Sequence, residues 1–435
     1  MTTLKQGKKV SQQPTRKTVF LNLALFQFLS FVRRGIFYTF MINYLFMLMK
    51  TVTYTTMLGT MNMVASALGQ NLLWGRISDR HKLRVELVIT GEAIAAAFYF
   101  IVYLIHKALL SWQADFAAGL SLILGLSLLE FFWSMSDVGW AALLTDATTS
   151  RNRGGIVGTL NFIASLGRMI GINFAGFLYN DGQGFREGTI FYIVIAMLIT
   201  SAAIMIVASR LIKKNTTTKG EKNLTNNDYD VASSYSSEKY NWFLVSLIIV
   251  VVGATCISQV FLLFLQLPTG LGKSAAEMSL ILTAWTLGGM PASLTCGWIS
   301  DKIGKEKTLL AGLVLAILTP LGYSLSTDLF FIAAVYGLNG MSFWTVQTVG
   351  FALAGDIIPK DKRGRLFSKY NTVMALSWGP SGLLVGGPLA DFQTRILGLP
   401  TNVAYINTFY ASSIIVAVGT ALFAAKVAKM KAIKS

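Results

Sequence analysis

Residues 75–84 read GRISDRHKLR, and residues 297–307 read GWISDKIGKEK. The pattern Gly-x-Ile-Ser-Asp followed by basic residues thus occurs twice, at Gly75 to Asp79 with Arg80 and at Gly297 to Asp301 with Lys302, an offset of 222. Each copy closes one long apolar run and precedes another. A second pair keeps step with the first: Asp146 and Arg153 stand before Gly154, and Asp356 and Arg363 before Gly364, an offset of 210. In both, acid and arginine are seven apart. Four loops in register mean that the chain is built from two similar halves. Between them lies 213–240, KKNTTTKGEKNLTNNDYDVASSYSSEKY, polar and without hydrophobic period. That composition describes a flexible tether.

Composition sets what the halves are made of. Of the 435 residues 54% are hydrophobic and only 13% are charged, and mean hydropathy is +0.58. Soluble chains carry about a quarter charged residues. Hydrophobic segments are read at 19–45, 53–74, 85–106, 116–144, 156–179, 189–211, 242–267, 278–297, 308–325, 328–353, 366–391 and 403–425. Each suffices to cross a hydrocarbon core of ~30 Å as a helix, and none alternates as barrel strands do. The expected fold class is an all-α membrane protein of twelve transmembrane helices in two pseudo-symmetric six-helix bundles. Its parts are a tail at 1–18, a bundle at 19–212, the linker at 213–240, a second bundle at 241–425 and a tail at 426–435.

The net charge of +17 would suggest nucleic acid in a soluble protein, but its placement here points to topology. Of 37 Lys and Arg, 29 fall on the face that carries both tails, the linker and the repeated loops. Five (Lys50, Lys107, Arg186, Lys273 and Arg395) fall on the other, and three lie inside segments. Basic short loops stay in the cytoplasm, so both termini are expected there, in a multi-pass plasma or inner membrane protein. Cys256 and Cys296 lie within segments and are read as buried thiols.

The repeated loops resemble the signature of the major facilitator superfamily: Gly, three residues, Asp, a basic residue, any residue, Gly and two basic residues. The Asp-x(6)-Arg-Gly loop commonly accompanies it. The resemblance covers essentially the whole chain and specifies no substrate. The copy at 297–307 is the closer one; in the first, Lys82 stands where the family has Gly. The resemblance implies secondary transport by alternating access. It also implies that Asp79, Arg80, Asp146, Arg153, Asp301, Asp356 and Arg363 gate the loop face and stabilise the outward-facing state. Acids near helix N-termini and arginines near C-termini can latch neighbouring helices. The plainer alternative is that the basic members only fix topology.

A charge at mid-bilayer costs at least ~2.5 kcal/mol, so each one calls for a reason. Arg33 and Arg34 in the first segment, Glu130 in the fourth and Arg168 in the fifth all lie 12–14 residues from the loop face. At 1.5 Å per residue they share one depth, ~18–21 Å in. Glu130, Trp133, Asp137 and Trp140 form one helical stripe, and Asn161, Ser165, Arg168 and Ile172 another. Glu92 of the third segment lies near the depth of Asp137. Three readings stand open. A carboxylate, Glu130 or Asp137, takes and releases a proton. An arginine, Arg33, Arg34 or Arg168, binds a carboxylate or phosphate of the solute. Or Arg34 and Glu130 form a permanent ion pair. Arg33 and Arg34 project about 100° apart, so one of them is expected in the cavity.

The second half has almost no mid-membrane charge. Its polar and aromatic candidates are Gln259, Gln266, Trp285, Trp344, Gln347, Asn371 and Trp378, which suits neutral, shape-based recognition or plain packing. The Gly-Pro and Gly-Gly signature of drug antiporters is broken at Gly171 to Gly176, and the motifs of peptide symporters and sugar porters are missing. His81 and His106 sit at segment ends, and no metal-spaced set, nucleophile–base set or nucleotide loop is present. The expectation is a monomeric, non-enzymatic transporter of a small organic solute, proton-coupled and with an anionic substrate. It needs no cofactor, and its partners are the solute, protons and the bilayer, not nucleic acid. Efflux of amphipathic compounds is the alternative, and a sensor or assembly partner without transport a third.

Overall fold

The structure, a computed structural model, describes residues 16–147, 153–216, 237–358 and 363–429. The side chains of Asp146, Arg153 and Arg363 lie outside the described residues. So do the tails at 1–15 and 430–435 and the linker from 217 to 236. Among the described residues there is no β-strand, only helices and short connections.

In the first half the chain runs through α1 (Arg16–Tyr38), α2 (Met41–Met49), α3 (Val52–Leu68) and α4 (Gly75–His81), with a π-helical stretch at Gly69–Trp74. It continues through α5 (Arg84–Ser111), α6 (Asp115–Ala147), α7 (Arg153–Tyr179), the single turn α8 (Gln183–Arg186) and α9 (Thr189–Thr216). The second half holds α10 (Ser237–Thr255), α11 (Ser258–Gln266), α12 (Ala275–Ile303), α13 (Lys305–Gly322) and α14 (Leu329–Ile357). It ends with α15 (Arg363–Trp378), π-helical Gly382–Gly386, α16 (Gly387–Asp391), π-helical Phe392–Ile396 and α17 (Thr401–Phe423). Each of the twelve hydrophobic segments lies on one of these helices or on a broken run of them.

The first helix of each half is broken at a matching place, between α1 and α2 and between α10 and α11. Irregular backbone at membrane depth persists only where protein or a cavity surrounds it. Among the described residues, eight spans are long and apolar enough to cross a membrane, nine if the bent pair Lys369–Trp378 and Gly382–Ile396 is one. The α3–α4 run, α12 and α13 fall short of that measure. They are rich in Thr, Ser and Gly, or start on Lys305-Glu306-Lys307. Such small and polar positions suit helix-to-helix contact better than lipid.

Within the halves, α5 packs on α6 and α9, and α1 on α7 and α9. In the second, α12 packs on α14, and α10 on α17. Between them, α7 meets α12, α3 meets α16 and the adjoining π stretch, and α2 meets α11. The buried apolar residues show which ends touch. One cluster spans both halves, joining Phe37, Tyr44 and Tyr179 to Phe261, Tyr405 and Phe409. Toward the loop face each half has its own: Leu23, Val85 and Leu143 in the first, Tyr240, Leu353 and Phe423 in the second. The core is continuous between the halves only away from the loops.

Polar contacts seal that far side. Asn43 Nδ2 donates to Gln266 Oε1 at 2.7 Å and to the Leu262 carbonyl at 3.1 Å. Asn173 Nδ2 donates to Thr283 Oγ1 at 2.9 Å, and Ser279 Oγ to the Ile172 carbonyl at 3.0 Å. The Asp391 carboxylate accepts the backbone N–H groups of Val52 (3.1 Å) and Thr53 (2.8 Å). Arg395 Nη2 donates to the Lys50 carbonyl at 2.5 Å and to Thr51 Oγ1 at 2.8 Å. An acid thus sits on the N-terminus of α3 and a cation on the carbonyl just beyond α2, each complementing the partial charge of that helix end.

Candidate functional site

The charged side chains of α1 and α6 converge on one indole. The guanidinium carbons of Arg33 and Arg34 each stand 4.3 Å from the centroid of the Trp133 ring, which is buried. Both heads reach the same ring, their long stems spanning the 100° between neighbours. A desolvated cation on a Trp face is attracted by the ring quadrupole. Arg33 is 1% exposed, whereas about a third of the Arg34 side chain meets solvent.

Arg34 Nη2 lies 3.1 Å from Asp137 Oδ1. The ion pair between the first and fourth segments thus forms with Asp137 rather than with Glu130, two turns earlier on the stripe. Glu130 is half-buried within electrostatic reach of Asp137, Arg34 and Arg33, with Ser66 of α3 beside it. It makes no ion pair with a described residue. Glu92 of α5 is fully buried, and its Oε1 accepts from Trp133 Nε1 at 2.8 Å and Ser136 Oγ at 2.9 Å. The ring that carries both arginines is therefore pinned by a carboxylate.

Gly35 allows α1 and α7 to touch at this level. A Cβ there would come within 2.8 Å of the Arg168 carbonyl oxygen and 2.9 Å of the Gly171 backbone. Arg168 itself turns toward the other half, its guanidinium carbon 5.3 Å from the Trp285 centroid, with Tyr336 and Arg34 as its electrostatic neighbours. Deep in the bundle, its side chain is nonetheless exposed, as a group lining an open cavity is. Arg168 makes no ion pair with a described residue. Trp285 is fixed in turn: its Nε1 donates to Asn339 Oδ1 at 3.1 Å, and Phe343 packs on it at 5.3 Å.

The remaining candidates are more scattered. Gln259 lies between Gly59 and Gly382, its Oε1 buried and without a hydrogen-bond partner among the described residues. Gln266 belongs to the far-side seal. The Trp344 indole packs against Gly289. Asn161, Asn371 and Trp378 are exposed and Gln347 is half-buried, and no described contact joins them to the charge cluster.

At the loops, Asp79 is exposed, with Arg84 Nη1 at 3.4 Å, and the same nitrogen donates to the Ser78 carbonyl at 2.8 Å. Arg80 and Asp301 are exposed, and Asp356 pairs with Lys305 at 2.6 Å. These pairs stay within one half. Gly75 starts α4, and Gly297 lies within α12 with open space around its Cβ position. Lys82, at the position of the signature glycine, holds φ 53°, and its counterpart Gly304 holds φ 99°. Both copies have a positive φ here, but ψ is 31° at Lys82 and 141° at Gly304, so Lys82 ends its helix in the left-handed helical conformation while Gly304 takes one that favours glycine.

Asn43, Asp391 and Arg395 carry no sequence signal beyond a polar residue near a segment end, and Asn339 none beyond a lone amide within a segment. Their partners come from distant segments, so spacing along one helix does not reveal them.

Helical spans in two packed halves, with charged side chains at membrane depth, define a multi-pass membrane protein. The family model described as Major Facilitator Superfamily matches residues 23–382 and 247–433, and the chain belongs to that superfamily. Among proteins of similar sequence is a multi-drug resistance efflux pump PmrA homolog of Lactococcus lactis subsp. lactis (strain IL1403), 22% identical over 321 residues, 74% of each chain. Another is an uncharacterized MFS-type transporter of Mycobacterium tuberculosis (strain ATCC 25618 / H37Rv), 27% identical over 122 residues. That match takes in 27% of this chain and only 17% of the relative's length. Among solved structures, a bacterial homolog of the human lysosomal transporter Spinster, inward-facing and unoccupied, superposes with a TM-score of 0.66 at 14% identity. It covers 96% of this chain and 97% of that one. The nucleoside transporter NupG gives 0.66 at 14% identity, covering 95% and 100%.

Proposed function

We propose that this protein is a secondary active transporter that moves a small organic anion across the plasma or inner membrane, coupled to protons, by alternating access between two bundles. The observation that carries the reading is the Arg34–Asp137 pair with Glu130 and Arg168 near it, ionisable groups at mid-membrane depth that are not buried. Ionisable groups within a membrane span mark ion and solute pathways. Glu130 and Asp137 are the proton carriers and Arg34 and Arg168 the anion-binding groups, with Arg33, sealed from solvent, setting the charge around Trp133. Trp133, Asn161, Gln259, Gln266, Trp344, Gln347, Asn371 and Trp378 shape the cavity.

The basic loop face is cytoplasmic and both termini lie inside. With the far side sealed, the conformation is then inward-facing. Asp79, Arg80, Asp301, Asp356 and their partners latch the loop face when the bundles rock the other way. The protein acts as a monomer.

A thermal-shift screen of the purified protein tests this reading. Organic anions are expected to raise the melting temperature, and Arg168→Gln to remove the effect. Stabilisation by lipophilic cations alone would favour a second reading, efflux of amphipathic compounds. The similarity to an efflux pump homolog and the aromatic side chains around Trp285 support that alternative.

A further inference from the structure

The buried charges do not contribute equally. Arg33 and Glu92 are both sealed from solvent, and both contact Trp133. They make no direct ion pair with each other, but each is closed off from a solute and stays with the protein. Arg34 and Asp137 offset each other directly, at 3.1 Å. Of the charged side chains here that reach solvent, two make no ion pair with a described residue: the carboxyl of Glu130 on α6 and the guanidinium of Arg168 on α7. Their surroundings differ. Glu130 has Arg33, Arg34 and Tyr38 of α1, Ser66 of α3, Tyr99 of α5 and Asp137 of its own helix within electrostatic reach. Arg168 faces the aromatic side of the second half, with Trp285 at 5.3 Å and Tyr336 nearby.

We infer that the site takes one organic monocarboxylate with an aromatic body together with one proton, the carboxylate on Arg168, the ring against Trp285 and the proton on Glu130. The inference rests on the proton-coupled anion reading above and adds to it the solute's charge, its shape and the stoichiometry. Loading a monoanion at Arg168 brings one negative charge into the site, and a proton at Glu130 restores the balance. A dianion would leave one charge uncompensated in a low-dielectric bundle, where such a charge is costly. An arginine fork on a carboxylate beside an indole face fixes the orientation of a flat solute. Trp285 is held for that role by Asn339 and Phe343.

The test uses the whole protein, in detergent and in liposomes. Three probes share an aromatic body and differ in charge: mandelate (−1), phthalate (−2 at neutral pH) and mandelamide (neutral). Mandelate is expected to raise the melting temperature, and phthalate and mandelamide to leave it within error. Arg168→Gln should weaken mandelate binding at least tenfold, and Trp285→Ala should weaken it by more than Trp285→Phe. Mandelate entry into liposomes should follow an inside-alkaline gradient and ignore a potassium diffusion potential. At 100 mV, each uncompensated charge would change accumulation by about 50-fold. Phthalate bound as tightly as mandelate, or flux that follows the potential, overturns the monoanion and its stoichiometry and leaves proton-coupled transport standing. If none of many organic anions binds, or none moves in response to pH, the broader reading falls with it.

Discussion

Arg34 and Asp137, 103 residues apart in sequence, meet at 3.1 Å between α1 and α6. Both side chains keep contact with solvent, 32% and 41% exposed, so the pair sits at the cavity wall rather than in the core. An ion pair this wet contributes at most about 1 kcal/mol of stability. Its value lies in holding charge at the solute's depth. Arg34→Gln and Asp137→Asn are each expected to cut transport at least tenfold while moving thermal unfolding by only a few degrees. Flux and unfolding measured on the same preparations separate the two effects. A large fall in melting temperature with normal flux would mark the pair as structural.

Glu130 makes no ion pair with a described residue and has two arginines within electrostatic reach. Glu130→Gln keeps its size and polarity and removes the titration. The variant is expected to exchange solute across liposomes by counterflow and to lose accumulation driven by a pH gradient. Retained pH-driven accumulation would move the proton to another group, with Asp137 the first to examine.

Gly35 tests the packing beneath the site. The added methyl of Gly35→Ala meets backbone of α7 at Arg168 and Gly171, which cannot swing aside as a side chain can. The helices must separate, and Arg168 moves with α7. Transport is expected to fall by two orders of magnitude or more, as misplacement of a binding group by about 1 Å allows. Flux close to wild type in Gly35→Ala, with full expression, would contradict this.

Much of this was legible in the sequence, for physical reasons. Apolar runs and the one-sided distribution of Lys and Arg report the bilayer directly, and the doubled loops at Gly75 and Gly297 report the repeat. Helical periodicity puts Glu130, Trp133 and Asp137 on one stripe, but it does not say which acid Arg34 reaches. Periodicity fixes direction around a helix axis; the partner depends on how two helices slide past each other, which Gly35 and Gly171 set in three dimensions. The common depth of Arg34 and Arg168 follows from counting residues. That Arg168 turns to Trp285 does not, since Trp285 belongs to the other half. The break between α1 and α2 has no Pro or Gly at the gap and left no mark to read.

The far-side seal makes its own prediction. Asp391 and Arg395 grip backbone groups at the ends of α2 and α3, contacts that must part if the far side opens. Asp391→Asn weakens the hold on the α3 N-terminus and should shift the population toward the far-side-open state. Spin labels at Trp112→Cys and Leu325→Cys, both exposed at that end, report it, with Cys256→Ser and Cys296→Ser as background. The longer inter-label distance is expected to gain population. An unchanged distribution would remove Asp391 from the gate.

The central claim is proton-coupled movement of an organic anion through the site between the halves. Its most direct measurement is solute flux into liposomes holding the purified protein, with an inside-alkaline pH gradient imposed and then collapsed by a protonophore. The account predicts uphill accumulation that disappears on collapse and is lost in Glu130→Gln and in Arg168→Gln. Accumulation unaffected by collapsing the gradient, or equal in the wild type and both variants, would contradict it.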